Sequence, residues 1–221
     1  MILDPRAASG VVDACAAAIV VLGVLILATR AIGRSIWMVA LQSCLVGLAA
    51  VAVGMATGTW HVAVGGLLSI GAKGIVVPLV LGSILRLSPV RQERHPLLGT
   101  RLALSAGVFV VFASTTAADG VALGVPVAAS RALPAAISQV LIGLIMVMTR
   151  RKALSIVVGL LIFENGIALT AFSLTYGMPF VVELGVLFDV LIAVVVAWVY
   201  SRRMLDTFGS LSTDRLRSLR G

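Results

Sequence analysis

Apolar residues run along this chain in long stretches, interrupted by short clusters rich in arginine, glycine and proline. A helix needs roughly 20 apolar residues to cross the hydrocarbon core of a bilayer. Seven stretches meet that requirement and predict seven spans, at about 11–29, 36–57, 60–85, 101–118, 133–149, 153–175 and 179–200. Several connections are tight: Gly58-Thr59, Arg150 to Lys152, and Tyr176 to Met178. Short connections force antiparallel neighbours, so the spans predict one compact bundle. Pro134 and Pro179 stand at helix starts, where a missing N–H is harmless. Pro78 lies inside the third span and predicts a kink. The expected organisation is a four-helix region over 1–132, a three-helix region over 133–200 and a tail over 201–221.

Composition agrees with the pattern. The 221 residues are 60% hydrophobic and 12% charged, with a mean hydropathy of +1.14. An ordinary soluble domain carries about 25% charge and about 45–50% apolar residues. The excess apolar surface must face lipid, which makes this an all-α integral membrane protein. The net charge of +8 would suggest nucleic acid in a soluble chain. Here the basic residues sort by side. Arg30, Arg34, Arg86, Arg91, Arg94, Arg101, Arg150, Arg151, Lys152, Arg202, Arg203, Arg215, Arg217 and Arg220 fall in one set of connections; Arg6 and Arg131 fall in the other. Such a bias predicts an outside N-terminus and a cytoplasmic C-terminus. An even number of spans would spoil the sorting. The charge therefore labels topology and meets lipid headgroups, with no nucleic acid as partner. The basic tail reads as a surface-lying segment, a dock for a soluble partner, or a frayed end. Cys15 and Cys44 both sit in apolar runs, so no disulfide or metal cluster is expected. The N-terminus lacks a basic stretch and Asp13 interrupts its first apolar run, so no cleaved signal peptide is expected.

Four ionisable residues remain inside the spans: Lys73, Glu164, Glu183 and Asp189. A charge at the bilayer centre costs about 2.5–3.5 kcal/mol on insertion scales. Lys73, Glu164 and Asp189 sit near mid-span, so they must face the bundle interior, pair, or line water. Glu183 lies nearer the outer surface. Burial raises carboxylate pKa values and an opposite charge lowers them, a balance that suits a proton relay. The plainer reading is a Lys73–Asp189 or Lys73–Glu164 ion pair that only holds helices together. Small neighbours at Gly71 and Gly74 permit close approach or a local helix break around Lys73. Asn165 and Gln139 add polar side chains at central depth. Ser69 and Lys73 share a helical face, as in a Ser–Lys hydrolase dyad, but a serine in a membrane helix more readily bonds backbone. His61 lies at an outer span end and His95 in a cytoplasmic loop, so no intramembrane pair could ligate haem; no cysteine cluster could hold an iron–sulfur centre, and no glycine-rich phosphate loop occurs. The chain alone is expected to do no redox chemistry and to hold no cofactor or metal.

A shift of 120 residues aligns the run from Gly23 to Thr29-Arg30 with that from Gly143 to Thr149-Arg150. The same offset pairs Ser35-Ile36 with Ser155-Ile156 and Leu41 with Leu161. Spans one to three are thus expected to echo spans five to seven as a parallel repeat. Cys44 then falls opposite Glu164, and Ser69 opposite Asp189, so only the second half carries the acids.

The stretch from Gln139 through Gly143 to Thr149-Arg150-Arg151-Lys152, followed by Glu164-Asn165-Gly166, resembles the hydrogenase-4 component E family. So do Pro179 to Glu183 and Asp189, and the tail from Leu205 to Thr213-Asp-Arg-Leu-Arg. The last three helices of that family look like the K subunit of respiratory complex I and the C subunit of multisubunit cation/proton antiporters. Aligned on its post-helix basic residues, the K subunit's second-helix Glu falls at Leu161, about 4.5 Å along the axis from Glu164. Its third-helix Glu falls at Asp189. The resemblance implies a membrane subunit of a redox-driven, formate hydrogenlyase-type or complex I-like complex in the bacterial inner membrane. Glu164 and Asp189 would be relay carboxylates, aided by Lys73 and Glu183. Antiporter-like membrane subunits and a soluble redox module at the cytoplasmic face would be the partners. Nickel–iron and iron–sulfur centres would belong to those partners. An antiporter component without a redox partner, and a structural membrane anchor, are the other readings.

Overall fold

The computed structural model describes residues 4–87, 92–93, 97–121 and 132–175. The predicted seventh span, with Pro179, Glu183 and Asp189, and the basic tail lie outside the described residues, as do Arg131 and His95.

Every described element of regular structure is a helix. The order is α1 (Pro5–Ala28), α2 (Ile32–Thr57), α3 (Trp60–Ser69), a π-helical segment (Ile70–Val76), α4 (Val77–Leu87), α5 (Thr100–Val121), α6 (Leu133–Thr149) and α7 (Ala153–Thr175). Among the described residues five helical rods are long and apolar enough to cross a membrane, with α3, the π segment and α4 counting as one rod. Helix α6, at 17 residues, is shorter. The first helix starts at Pro5, six residues before the predicted span, because Asp4 caps it by accepting from the Arg6 N–H at 3.1 Å. That extension leaves Asp13 two turns inside α1.

Where Pro78 predicts a kink, the third span instead changes helix type just upstream. Proline has no N–H with which to close a turn, and the preceding Val77 N–H reaches back to the Ala72 carbonyl, the wider i→i+5 bond of a π-helix. The widened turn carries Lys73.

Helix α2 lies at the centre, packed against α1, α3, the π segment, α4 and α7. Side chains absent from glycines allow some of these approaches. A Cβ on Gly143 would stand 2.4 Å from the Phe163 backbone nitrogen, so α6 and α7 meet backbone to backbone with no room for a methyl group. On the C-terminal side of α2, Gly58 takes φ 73° and turns the chain within two residues into α3.

The two hairpins α1–α2 and α6–α7 correspond at the 120-residue offset. Their three-residue turns, 29–31 and 150–152, align within one residue, and α1 packs on α6 as α2 packs on α7. Each helix of the first hairpin therefore lies beside its own counterpart.

Both turns and the segment after α4 gather at one end of the bundle, the end rich in arginine. Glu93 joins them. Its N–H donates to the Arg30 carbonyl at 2.9 Å, and its Oε1 accepts from the N–H groups of Arg151 (2.7 Å) and Lys152 (3.2 Å) at the start of α7. A carboxylate there satisfies two orphan donors and complements the helix dipole. Arg150, itself buried, donates to the Leu27 and Thr29 carbonyls across the hairpins. Burial holds the Arg150 guanidinium below its ordinary pKa; nearby Glu93 opposes that shift and Arg30 adds to it.

Two outcomes test this account. Gly143→Ala should lower thermal stability in detergent by about 1–3 kcal/mol, the usual range for an overpacked site. Gly10→Ala, where a Cβ meets nothing within 4 Å, should leave it unchanged or slightly raised. Glu93→Ala should speed amide hydrogen exchange at Arg151 and Lys152; unchanged exchange would mean that the turn holds itself.

Candidate functional site

Span three brings Lys73 into the bundle on its π turn, and α7 brings Glu164 to meet it. The two form an ion pair, with side-chain exposures of only 6% and 8%. Of the two pairings open from the sequence, the structure makes Lys73–Glu164; Asp189 is outside the described residues. Close approach here depends on Gly74, where a Cβ would stand 2.5 Å from Cys44 Sγ on α2. Of the two small residues flanking Lys73, Gly74 makes the tight helix contact, whereas a Cβ on Gly71 would meet nothing within 4 Å.

One residue beyond Glu164 a chain of amides begins. The Asn165 Nδ2 donates to Ser43 Oγ at 3.0 Å and to Gln42 Oε1 at 3.4 Å, and the Ser43 hydroxyl lies 3.3 Å from Asn165 Oδ1. Gln42 donates in turn to Gln139 Oε1 at 2.7 Å. Both glutamine amides also donate to the Ile19 carbonyl, each at 3.1 Å. Gln42, Ser43, Gln139 and Asn165 are all buried. Four helices, α1, α2, α6 and α7, thus contribute to one polar seam at mid-bundle, beside the ion pair that Lys73 makes with Glu164. In an apolar medium an unsatisfied amide is costly, so each of these side chains fixes where its neighbours must lie.

The surroundings are apolar. Leu161, where the K-subunit resemblance places a carboxylate, is buried in the main core cluster with Ile142, Val158 and Ile162. The acid of α7 sits three residues further on, beside the lysine. Among the described residues, no group of three His, Cys, Asp or Glu side chains could hold a metal ion. Ser69 is not hydrogen-bonded to Lys73 among the described residues, and the lysine ammonium is committed to Glu164.

Of the residues singled out from the sequence, Lys73 meets Glu164, and Asn165 meets Gln139 through Gln42. Glu183 and Asp189 lie outside the described residues. Gln42, Ser43 and Glu93 were not singled out. Gln42 has a signal that could have found it: it is the one amide in the second span, well inside its apolar run. Glu93 is the lone acid among Arg86, Arg91, Arg94 and Arg101, but nothing in its spacing points to a hairpin turn 58 residues away.

Removing one partner of the pair should be far worse than removing both. Lys73→Met leaves a buried carboxylate uncompensated and should cost about 3–5 kcal/mol. The double variant Lys73→Met/Glu164→Leu should recover most of that loss in a thermal melt. Equal losses in the single and double variants would mean that the charges do not interact.

The chain is 38% identical over 159 residues to an uncharacterized protein of Mycobacterium tuberculosis, Rv0085; the match covers 70% of this chain and 71% of that protein. It is 27% identical over 149 residues to hydrogenase-4 component E of Escherichia coli K12 and of Shigella flexneri, covering 67% of this chain and 69% of each. That distant homology meets the resemblance carried by Glu164-Asn165-Gly166. No protein-family model matches the chain, and no solved structure does.

Proposed function

The chain belongs to the same family as Rv0085 of M. tuberculosis, and from that premise and its distant homology to hydrogenase-4 component E we propose that it is a membrane subunit of a hydrogenase-type complex that couples redox chemistry to proton translocation. The reading takes the chain as a multi-pass protein of the bacterial inner membrane, with seven spans and a cytoplasmic C-terminus. Catalysis, and the nickel–iron and iron–sulfur centres it needs, belong on this reading to soluble partners at the cytoplasmic face. Antiporter-like subunits would flank it in the membrane.

The buried Lys73–Glu164 pair carries the proposal. Two charges at mid-span are expensive to keep unless they do something an apolar pair could not. A carboxylate facing a lysine can hold a proton between them and pass it on when either partner moves. Glu164 is the proton-holding group, Lys73 its modulator, and Asp189 and Glu183 extend the path toward the outer face. Asn165 and Gln139 position the pair through the amide seam and take no proton themselves.

A structural anchor has one observation in its favour: the pair is closed and its seam of amides is bonded throughout. Glu164→Gln in the assembled complex separates the two readings. A relay loses electron-coupled proton movement by at least tenfold while the subunits still co-purify; an anchor keeps proton movement. Normal pumping in both Glu164→Gln and Asp189→Gln would overturn the relay. Proton movement that depends on sodium and needs no electron donor would point to a cation/proton antiporter instead.

A further inference from the structure

A second feature lies at the arginine-rich end, away from the polar seam. A groove of about 740 Å³ opens between the start of α2 and α4, within the ~300–1,000 Å³ common for small-molecule sites. Arg34 and Trp37, one turn apart, line its α2 side. Leu79, Gly82, Ser83 and Arg86 repeat at helical spacing along its α4 side. Gln92, bridged to Ala31, closes the end nearest the arginines.

The chemistry along the groove is graded. Arg34 and Arg86 are exposed, no acidic residue lines the groove, and among the described residues neither arginine has a hydrogen-bond or ion-pair partner. Seven residues separate Arg86 from Leu79, about 10.5 Å along a helix. Over that length the lining passes from guanidinium through hydroxyl to leucine. Trp37 and Leu79 are 62% and 57% exposed and apolar. The absent side chain of Gly82 keeps the groove open, since a Cβ there would meet nothing within 4 Å. A free phosphate would satisfy the arginines and leave the apolar wall empty. A molecule with an anionic head and a hydrocarbon body fits both.

We propose that this groove is a binding site for an anionic phospholipid, its phosphate held by Arg34 and Arg86 and an acyl chain laid past Trp37 and Leu79 over Gly82. Basic pockets between spans recognise such headgroups, and each arginine near the surface is worth roughly a fivefold preference, so about 30-fold for two.

Trp37 supplies the readout. In the full-length chain carrying Trp60→Phe and Trp198→Phe, Trp37 is the sole tryptophan. Reconstituted into phosphatidylcholine vesicles, it should be quenched by a minor fraction of brominated phosphatidylglycerol at an apparent affinity about 30-fold above that for brominated phosphatidylcholine. Arg34→Gln/Arg86→Gln should cut the preference to within about twofold, and Arg34→Lys/Arg86→Lys should restore most of it. Gly82→Leu, which fills the groove and changes no charge, should also abolish it. Equal quenching by the two lipids would overturn the site. So would a preference that survives Gly82→Leu, as diffuse surface charge requires, or one that inorganic phosphate reverses. Protection of Trp37 from both lipids would mean that protein covers the groove, and would overturn it too. If the tryptophan variants do not fold, native mass spectrometry of the unsubstituted chain decides by whether phosphatidylglycerol is retained in preference to phosphatidylcholine.

Discussion

The Lys73–Glu164 pair is the constraint around which the described bundle is arranged. Neither charge tolerates lipid, so each must find the other. That requirement joins α7 and span three through this pair, while both helices pack on α2, and it is met because the π turn carries Lys73 and Gly74 lets α2 close in. The amide seam repeats the same logic with uncharged groups. Gln42, Gln139 and Asn165 tie α1, α2, α6 and α7 together, because in an apolar interior polar partners are the scarce resource and hydrophobic contacts are not.

A second organising element is the doubled hairpin. Packing α1 on α6 and α2 on α7 sets equivalent helices side by side, yet the seam between them is not equivalent. Ile19 offers only its carbonyl, while its counterpart Gln139 offers an amide to it. Glu93, from the segment between the hairpins, holds both hairpin turns at one end.

Distant homology to a hydrogenase component supports a membrane subunit of a hydrogenase complex, and the energetics of the membrane separately mark out the buried Lys73–Glu164 pair. The proposed lipid groove adds a different demand at the arginine-rich end, where Arg34 and Arg86 gain a specific partner.

Hydrophobic run length by itself determined the helices: six predicted spans fall on described helices, five of them on rods long and apolar enough to cross a membrane, because a bilayer admits little else than a helix of that length. Charge placement likewise marked Lys73 and Glu164, since ionisable residues at mid-span are rare enough to be read singly. Which acid faces the lysine, the π turn that aims it, and the recruitment of Gln42, Ser43 and Glu93 were decided only in the tertiary structure. Apolar helices rotate and slide against one another with little change in hydrophobic energy, so their register is set by sparse polar bonds between residues far apart in the chain, and no local pattern records those.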